Sequence, residues 1–559
     1  MAPGVGEPGP YALAEIATDP ADDPLTRLRS ATRQALAHVQ LHLAQSEEPR
    51  LVVVTRGEAP EPALAAARGL LRAAQAEHPE RFVIVDADAE SLSALDAALA
   101  TGEPELALRG GSVSAPRLVR VRDAHGAAAP ALDGTVLDGT VLITGGTGGI
   151  GALAARHLVS AHGVRRLVLA SRRGAEAPGA VELREELVGE GAEVVLAACD
   201  VSDREALAAL VAEHPPTAVV HTAGVLDDGL VEGLTADGLD RVLRPKADAA
   251  RHLHELTRDL PLTAFVVLSS LAGAWGNPGQ ANYGAANAYL DALIAERRAA
   301  GLPGSALAYG LWNAGGMAGE LDDAQVRRLA ASGVLPLTDE QGLAALDLAL
   351  GDAGLLVPAR LDLRGLAERT PVRPLLRRLV TARPARATAV APVASDSGGE
   401  ALVARLGGLD EAGRLDLLLE VVRRRIADVL GFAGPEAVQV DRLFQDLGLD
   451  SLTALELRNQ LNRATGLRLP ATLVFDHPTP TALARHLLTE LAPAEAPNPL
   501  LADLDRIEAA LAALSPEDDL RHEVAARLRE LARSTADAEL AEASEDDLLA
   551  ALESELHNF

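Results

Sequence analysis

Residues 140–151 read TVLITGGTGGIG, and they decide the fold. TVLIT (140–144) is a short apolar run of strand length, the glycine cluster follows at once, and ALAARHLVSAHG continues as a helix. Glycines between a strand and a helix allow a tight turn. They also let a pyrophosphate sit against the helix N-terminus. Thr144, Gly145, Gly146, Thr147, Gly148, Gly149, Ile150 and Gly151 are therefore candidate dinucleotide contacts. Moving outward, VRRLVLASR predicts a second strand. A helix over 181–190, the strand EVVLAACD, a helix over 203–213, the strand AVVHTAG and the strand AFVVLSS (264–270) come after it. Repeated strand–helix–strand units imply a doubly wound parallel sheet. The second strand ends in Ser171-Arg172-Arg173, where an NAD site would place an acid. Basic residues there favour a 2′-phosphate, hence NADPH.

On the N-terminal side, residues 1–30 are rich in Pro, Asp and Gly and are expected to pack poorly. A helix over 25–43, a strand over 51–55, a helix over 63–77 and a strand over 81–86 follow. The strand at 51–55 opens into RGEAPEP, without glycines for close approach, so 1–133 reads as a structural α/β domain without cofactor. The glycine-rich unit spans 134–366. Residues 367–412 form an Ala-, Arg-, Pro- and Ser-rich linker and 413–490 a compact helical segment. Pro493, Pro497 and Pro499 open a helical tail over 491–559.

The chain has 559 residues, a length for several domains, and a formal net charge of −29. That balance argues against a nucleic-acid partner and against an anionic membrane surface. The lone cysteine, Cys199, excludes a disulfide framework and a Cys-ligated zinc. No metal is expected. No apolar run is long enough to span a bilayer, and the start MAPGVGEPGP lacks the features of a signal peptide. These features predict a cytoplasmic protein. Lys246 is the only lysine in a chain otherwise furnished with arginine. Arginine is bulkier and essentially never deprotonated, so a solitary lysine marks a position that arginine cannot fill.

The segment LSSLAGAWGNPGQANYGAAN (268–287) holds Ser270 and, thirteen residues on, Tyr283. Reducing a carbonyl requires a hydride and a proton for the developing alkoxide. A tyrosine becomes a ready proton donor near neutral pH when its pKa falls from about 10 toward 7. A nearby ammonium favours that fall, and Lys246 is the chain's only one on a side chain. Ser270 can orient the carbonyl.

On these residues, 140–320 resembles a short-chain dehydrogenase/reductase, and in particular the ketoreductase domain of modular type I polyketide synthases. The usual Tyr-x-x-x-Lys pattern is replaced here by Tyr283-Gly-Ala-Ala-Asn287. In polyketide ketoreductases the lysine comes from earlier in the chain, where Lys246 stands in LRPKADAA. The resemblance implies Lys246, Ser270, Tyr283 and Asn287 as the catalytic group. It implies Asp200 and Val201 of CDVSD, with Ala223 and Gly224 of HTAGVLDDG, as cofactor-side residues. YGLWNAGGMAG (309–319) resembles the family's lid, and RAAQAEHPERFVIVD (72–86) its cofactor-free subdomain. The first strand and helix of that subdomain are not recognisable before residue 25. The fold class implied is Rossmann-like, with a structural subdomain, a helical carrier bundle and a helical tail.

LGLDSLTALELRNQL (447–461), with FDHPT (475–479), resembles an acyl carrier protein. Ser451 then takes 4′-phosphopantetheine from a phosphopantetheinyl transferase, although Asp450-Ser451 also reads as an ordinary helix cap. In the tail, Leu500, Leu504, Ile507, Leu511 and Leu514 form a heptad seam. With the acidic SEDDLLAALESELHNF, it resembles polyketide synthase docking domains. A homodimer and a downstream synthase subunit follow from that resemblance. No ketosynthase, acyltransferase, dehydratase or enoylreductase signature is found, so condensation is expected from upstream sequence or a partner chain.

The function implied is NADPH-dependent reduction of a carrier-bound β-ketoacyl thioester to the β-hydroxyacyl thioester. Two alternatives stay open: a carrier and docking scaffold with a silent reductase, and a stand-alone reductase of small ketones. Leu226-Asp227-Asp228 resembles ketoreductases that yield a D-configured hydroxyl. Pro278 is found in members of that type acting on an epimerised α-substituent. Trp275 is the mark of the opposite type, and the triplet is weighed above it.

Overall fold

The computed structural model describes residues 10–45, 49–57, 61–121, 137–312, 333–351, 353–368, 372–380, 398–432, 434–470 and 472–491, with Val524, Ala526 and Arg527 beyond. One unit gathers Met1–Leu402 with Leu409–Leu488, and a second gathers Val403–Gly408 with Thr489–Phe559. Most of the second unit, including the heptad seam and acidic terminus, lies outside the described residues. Among the described residues no helix is long and apolar enough to cross a membrane.

The glycine-rich unit is built on a seven-stranded sheet. Its order is Gly354–Leu356, Ser305–Tyr309, Ala264–Ser270, Ala218–His221, Thr140–Thr144, Arg166–Ser171, Glu193–Ala198, every pairing parallel. Strands are added to one side of Thr140–Thr144 and then to the other. The direction of winding thus reverses between Thr140–Thr144 and Ala218–His221, and a doubly wound sheet binds ligands in the crevice at that reversal. The inner strands read as continuous apolar runs because helices cover both faces.

The preceding sheet has five strands in sequence order: Tyr11–Ala17, Arg50–Arg56, Phe82–Ala87, Glu105–Arg109 and the antiparallel Ser112–Ser114. It shows no such reversal. Tyr11–Ala17 corrects the expectation of a poorly packed start. YALAEIA pairs along its whole length with Arg50–Arg56, and Ile16 is fully buried. Its partner strand lies beyond the intervening helix, so the local composition, dominated by Pro and Asp on either side, hid it. Helix Pro24–Leu43 follows, capped by Asp23, which accepts from the amides of Leu25 and Thr26.

The two sheets share one apolar core through a helix pair. Helix Pro62–Glu77 packs on helix Ala281–Ala299. A β-carbon on Gly69 would stand 2.4 Å from the carbonyl oxygen of Gly284. The two backbones approach that closely only because neither residue has a side chain there. Leu70, Leu71, Tyr289, Leu290 and Leu293 fill the rest of the seam. The structural sheet thereby fixes the helix that bears Tyr283.

The carrier segment is a small bundle of Glu411–Leu430, Ser451–Thr465, Leu473–Asp476 and Pro480–Leu491. Leu418, Val422, Ile426, Leu457, Leu461, Leu473, Leu483 and Leu487 are buried in it.

Candidate active site

At the winding reversal, Gly145 has φ +70, which disfavours any side chain. A β-carbon there would meet Thr222 Oγ1 at 2.8 Å, and one on Gly151 would meet the Gly145 carbonyl at 2.3 Å. Gly148, by contrast, faces open space apart from that carbonyl at 3.5 Å, and no side chain caps helix Gly149–Ser160. Free amides at a helix N-terminus behind an open cradle fit a dinucleotide pyrophosphate. The Ser171 hydroxyl, at the end of the neighbouring strand, is buried without a partner. Arg172 and Arg173 beside it are exposed. Asp200 is held below the usual carboxylate range, chiefly by the Ser202 hydroxyl, and Arg172 adds to the effect. Cys199 is buried and its thiol is pushed up by that burial, so it stays protonated.

Lys246 lies on a π-helical turn, Arg244–Asp248, between helices Ala236–Leu243 and Ala249–Thr257. Pro245 has no amide to offer the regular ladder, and a widened turn accommodates the loss. The lysine is 3% exposed, donates from Nζ to the carbonyl of Leu268 at 3.0 Å, and sits 5.2 Å from the centroid of the Tyr283 ring. Burial lowers its pKa to about 8, with the Asp291 carboxyl opposing.

Helix Ala281–Ala299 places Tyr283 and Asn287 one turn apart on one face. Asn287 Nδ2 donates to the carbonyl of Tyr283 at 2.8 Å, while its Oδ1 is buried without a partner. Ser270 caps the short helix Leu271–Trp275 by accepting from the amide of Ala272. Burial raises the Tyr283 phenol above its ordinary value, and the Asn287 and Ser270 side chains act against the rise. This runs opposite to the lowering expected from the sequence, because desolvation, with the Asp228 charge adding to it, outweighs the hydrogen bonds of Asn287 and Ser270. Lys246, Ser270, Tyr283 and Asn287, scattered over forty residues, do come together.

Two neighbours escaped the sequence reading. His221, 1% exposed, donates from Nε2 to the carbonyl of Lys246 at 3.0 Å, so its Nδ1 accepts from the Thr144 hydroxyl at 2.7 Å. Burial lowers its pKa to about 3, which keeps it neutral. It ties the lysine turn to the end of the glycine-loop strand. Asp291 is raised to about 7 by burial. His221 stands first in HTAG, but nothing in a lone histidine signals what it will bond.

Asp227 accepts from Arg241 at 2.9 Å, and Asp228 accepts from Gln280 at 3.0 Å. Pro278 lies on the same loop as Gln280. The Trp275 indole is covered by the Arg373 guanidinium, 4.8 Å from the ring centroid, and packs against the Leu366, Leu376 and Val380 cluster. Of the lid segment, 313–319 lies outside the described residues. In the carrier, Ser451 is exposed at the start of its helix, with Asp450 and Thr453 forming a capping box before and after it. Elsewhere, His157 and His162 both reach Asp347 Oδ1, at 2.6 and 2.7 Å, and hold that carboxyl below its usual range. His157, on helix Gly149–Ser160, and His162, in the turn after it, tie that region to helix Asp339–Leu350.

A glycine cradle at a winding reversal, with a tyrosine, serine, asparagine and buried lysine facing it, defines a Rossmann-type reductase of the short-chain class. Family models agree: a KR domain matches residues 139–314, the Rossmann fold domain of polyketide synthase extender module SpnB matches 2–118, a phosphopantetheine attachment site matches 420–487, and the docking domain of erythronolide synthase matches 493–553. The chain is similar to spectinabilin polyketide synthase system protein NorA′ of Streptomyces orinoci, 49% identical over 84% of this chain and 13% of that protein. It is also similar to mycoketide-CoA synthase of Mycobacterium tuberculosis, 53% identical over 65% of this chain and 9% of that one. It thus spans a small part of either relative. Among solved structures, an A1-type ketoreductase has a TM-score of 0.55 at 39% identity, covering 63% of this chain and 79% of that one. The first ketoreductase of the tylosin synthase has a TM-score of 0.55 at 34% identity, covering 67% and 96%. The chain belongs to the modular polyketide synthases, as a ketoreductase followed by carrier and docking domains.

Proposed function

We propose that the chain reduces a β-ketoacyl thioester carried on Ser451 to the β-hydroxyacyl thioester. The observation that bears most on this is the convergence of Lys246, Ser270, Tyr283 and Asn287 beside the glycine cradle. NADPH, when bound, supplies the hydride, and the exposed Arg172 and Arg173 beside the partnerless Ser171 hydroxyl support its 2′-phosphate. Thr144 to Gly151, Asp200, Val201, Ala223 and Gly224 line its place. Tyr283 gives its phenolic proton to the ketone oxygen, and its raised pKa keeps that proton in place at neutral pH. Ser270 holds the oxygen by a hydrogen bond. Lys246 sets a positive charge against the ring, and Asn287 relays the proton that restores the phenol.

The domain division is 1–133 structural, 134–366 catalytic, 413–490 carrier and 491–559 docking and dimerising. An exposed serine at a helix N-terminus suits an arm joined through a phosphodiester, whose charge the helix dipole favours. A phosphopantetheinyl transferase installs that arm. Upstream condensing domains supply the chain, a downstream subunit receives it, and the setting is cytoplasmic. The hydroxyl is D-configured. The Leu226-Asp227-Asp228 triplet supports this, and so does the engagement of Trp275 by Arg373.

The test is an NADPH-oxidation assay on a diffusible β-keto thioester, with chiral chromatography of the product. Ser451→Ala keeps this activity and loses arm attachment. No oxidation would favour the silent scaffold, and a predominantly L product would overturn the stereochemical assignment.

A further inference from the structure

The last carbonyls of a helix find no partner within it. At the end of helix Pro62–Glu77 the carbonyl of Glu77 is met from the carrier. Arg458 Nη2 donates to it at 2.9 Å and Asn459 Nδ2 at 3.0 Å, both from helix Ser451–Thr465. Arg458 is 5% exposed, and Asn459 Oδ1 braces its guanidinium at 3.0 Å. A cation at a helix C-terminus is also favoured by the dipole.

The Glu77 side chain serves a different purpose. Its carboxylate accepts from the amide of Val231 at 2.8 Å and from the amide of Gly279 at 2.9 Å. Those residues border two loops laced together. Gly229 donates to the Gly279 carbonyl at 2.8 Å, Gln280 donates to Asp228 at 3.0 Å, and Asn282 donates to the Asp227 carbonyl at 2.7 Å. One residue thus meets the carrier with its backbone and backs the substrate-side loops with its carboxylate. The carrier touches those loops as well. Leu452 Cδ1 lies 3.5 Å from where a β-carbon on Gly279 would stand, four residues before Tyr283. Leu452 and Asn459 are seven residues apart, two helical turns, and so share a face. Leu452 directly follows Ser451.

We propose that Arg458 and Asn459 dock the carrier on its own reductase, capping helix Pro62–Glu77 and setting Ser451 to send its arm in beside Gly279. This rests on the reductase reading above. The contact is small and polar, suited to repeated release. A shared chain raises the local concentration of the carrier, so strong affinity is not required.

The experiment uses the full chain, loaded on Ser451 with a β-ketoacyl pantetheine arm by a phosphopantetheinyl transferase. The single-turnover rate after NADPH addition is compared between the parent and Arg458→Ala/Asn459→Ala. Arm attachment by mass and kcat/KM for a diffusible β-keto thioester are measured alongside. The double variant is expected to reduce its own carrier-bound chain about tenfold more slowly, as the loss of charge-assisted hydrogen bonds implies, with loading and surrogate reduction unchanged. Arg458→Lys keeps charge and stem but loses the planar fork, and should fall between the two. An unchanged on-carrier rate in the double variant overturns the proposal. Should that variant fail to load, Arg458→Lys alone decides, a parental rate overturning it. A parent that reduces neither substrate overturns the reductase reading, and the docking role with it.

Discussion

Lys246 is buried and Tyr283 half-buried, and desolvation moves their pKa values in opposite directions, each toward the neutral form. For the tyrosine the neutral form is the proton donor that reduction needs. Tyr283→Phe removes it, and turnover should fall by about 10²–10⁴-fold with NADPH affinity retained, as measured by initial rates and by cofactor fluorescence titration. For the lysine the role proposed above needs the charged form. With its pKa at about 8, the reduction rate should decline as pH rises through that value. Unfolding driven by the titration of this lysine does not account for such a decline. Between about 8 and the unfolded value near 10.4 the unfolded chain binds more protons at this site, so its contribution to stability rises with pH. A pH–rate profile flat to pH 10 would contradict this role for Lys246. That Lys246, Ser270 and Tyr283 belong to one candidate site was legible because a solitary lysine and a serine–tyrosine spacing are chemical signals, and the structure brings the three together. The pKa direction of Tyr283 was not, because desolvation depends on what surrounds the ring, and that is set by packing.

At the scale of elements, the catalytic helix Ala281–Ala299 owes its placement to its partner Pro62–Glu77 rather than to its own sequence. Gly69→Ala should force the two apart, since the added methyl meets a backbone carbonyl at 2.4 Å and cannot push aside a flexible side chain. A stability loss of about 1–3 kcal/mol is expected in urea unfolding, with slower reduction as Tyr283 shifts. A midpoint equal to the parent's would show that the seam is looser than the distance implies. The strands of the glycine-rich unit between 140 and 270, and the helices expected over 181–190 and 203–213, were readable to within a few residues, because buried parallel strands and their helices carry strong periodic patterns. The strands Ser305–Tyr309 and Gly354–Leu356 and the helix Ala281–Ala299 were not read. AFVVLSS, expected over 264–270, forms Ala264–Ser270. The edge strand Tyr11–Ala17 was not readable, since its stability comes from pairing with Arg50–Arg56 across an intervening helix. The π-helical turn at Lys246 likewise gave only Pro245 as a sign.

For the whole molecule, the sequence marks a division of labour: a reductase, a carrier beside it, and an acidic tail. If the heptad seam at Leu500, Leu504, Ile507, Leu511 and Leu514 dimerises the chain, cutting after residue 492 should halve the mass seen in light scattering, and an unchanged mass would count against it. Reduction of the carrier-bound chain joins the work of the first two parts, and it can be read on the carrier itself. The holo chain, bearing a β-ketoacyl group on Ser451, is mixed with NADPH, and the arm is then ejected and weighed by mass spectrometry. A gain of two hydrogens on the acyl group is expected in the parent, and none in Tyr283→Phe over the same time. An acyl group of unchanged mass in the parent would contradict that reduction.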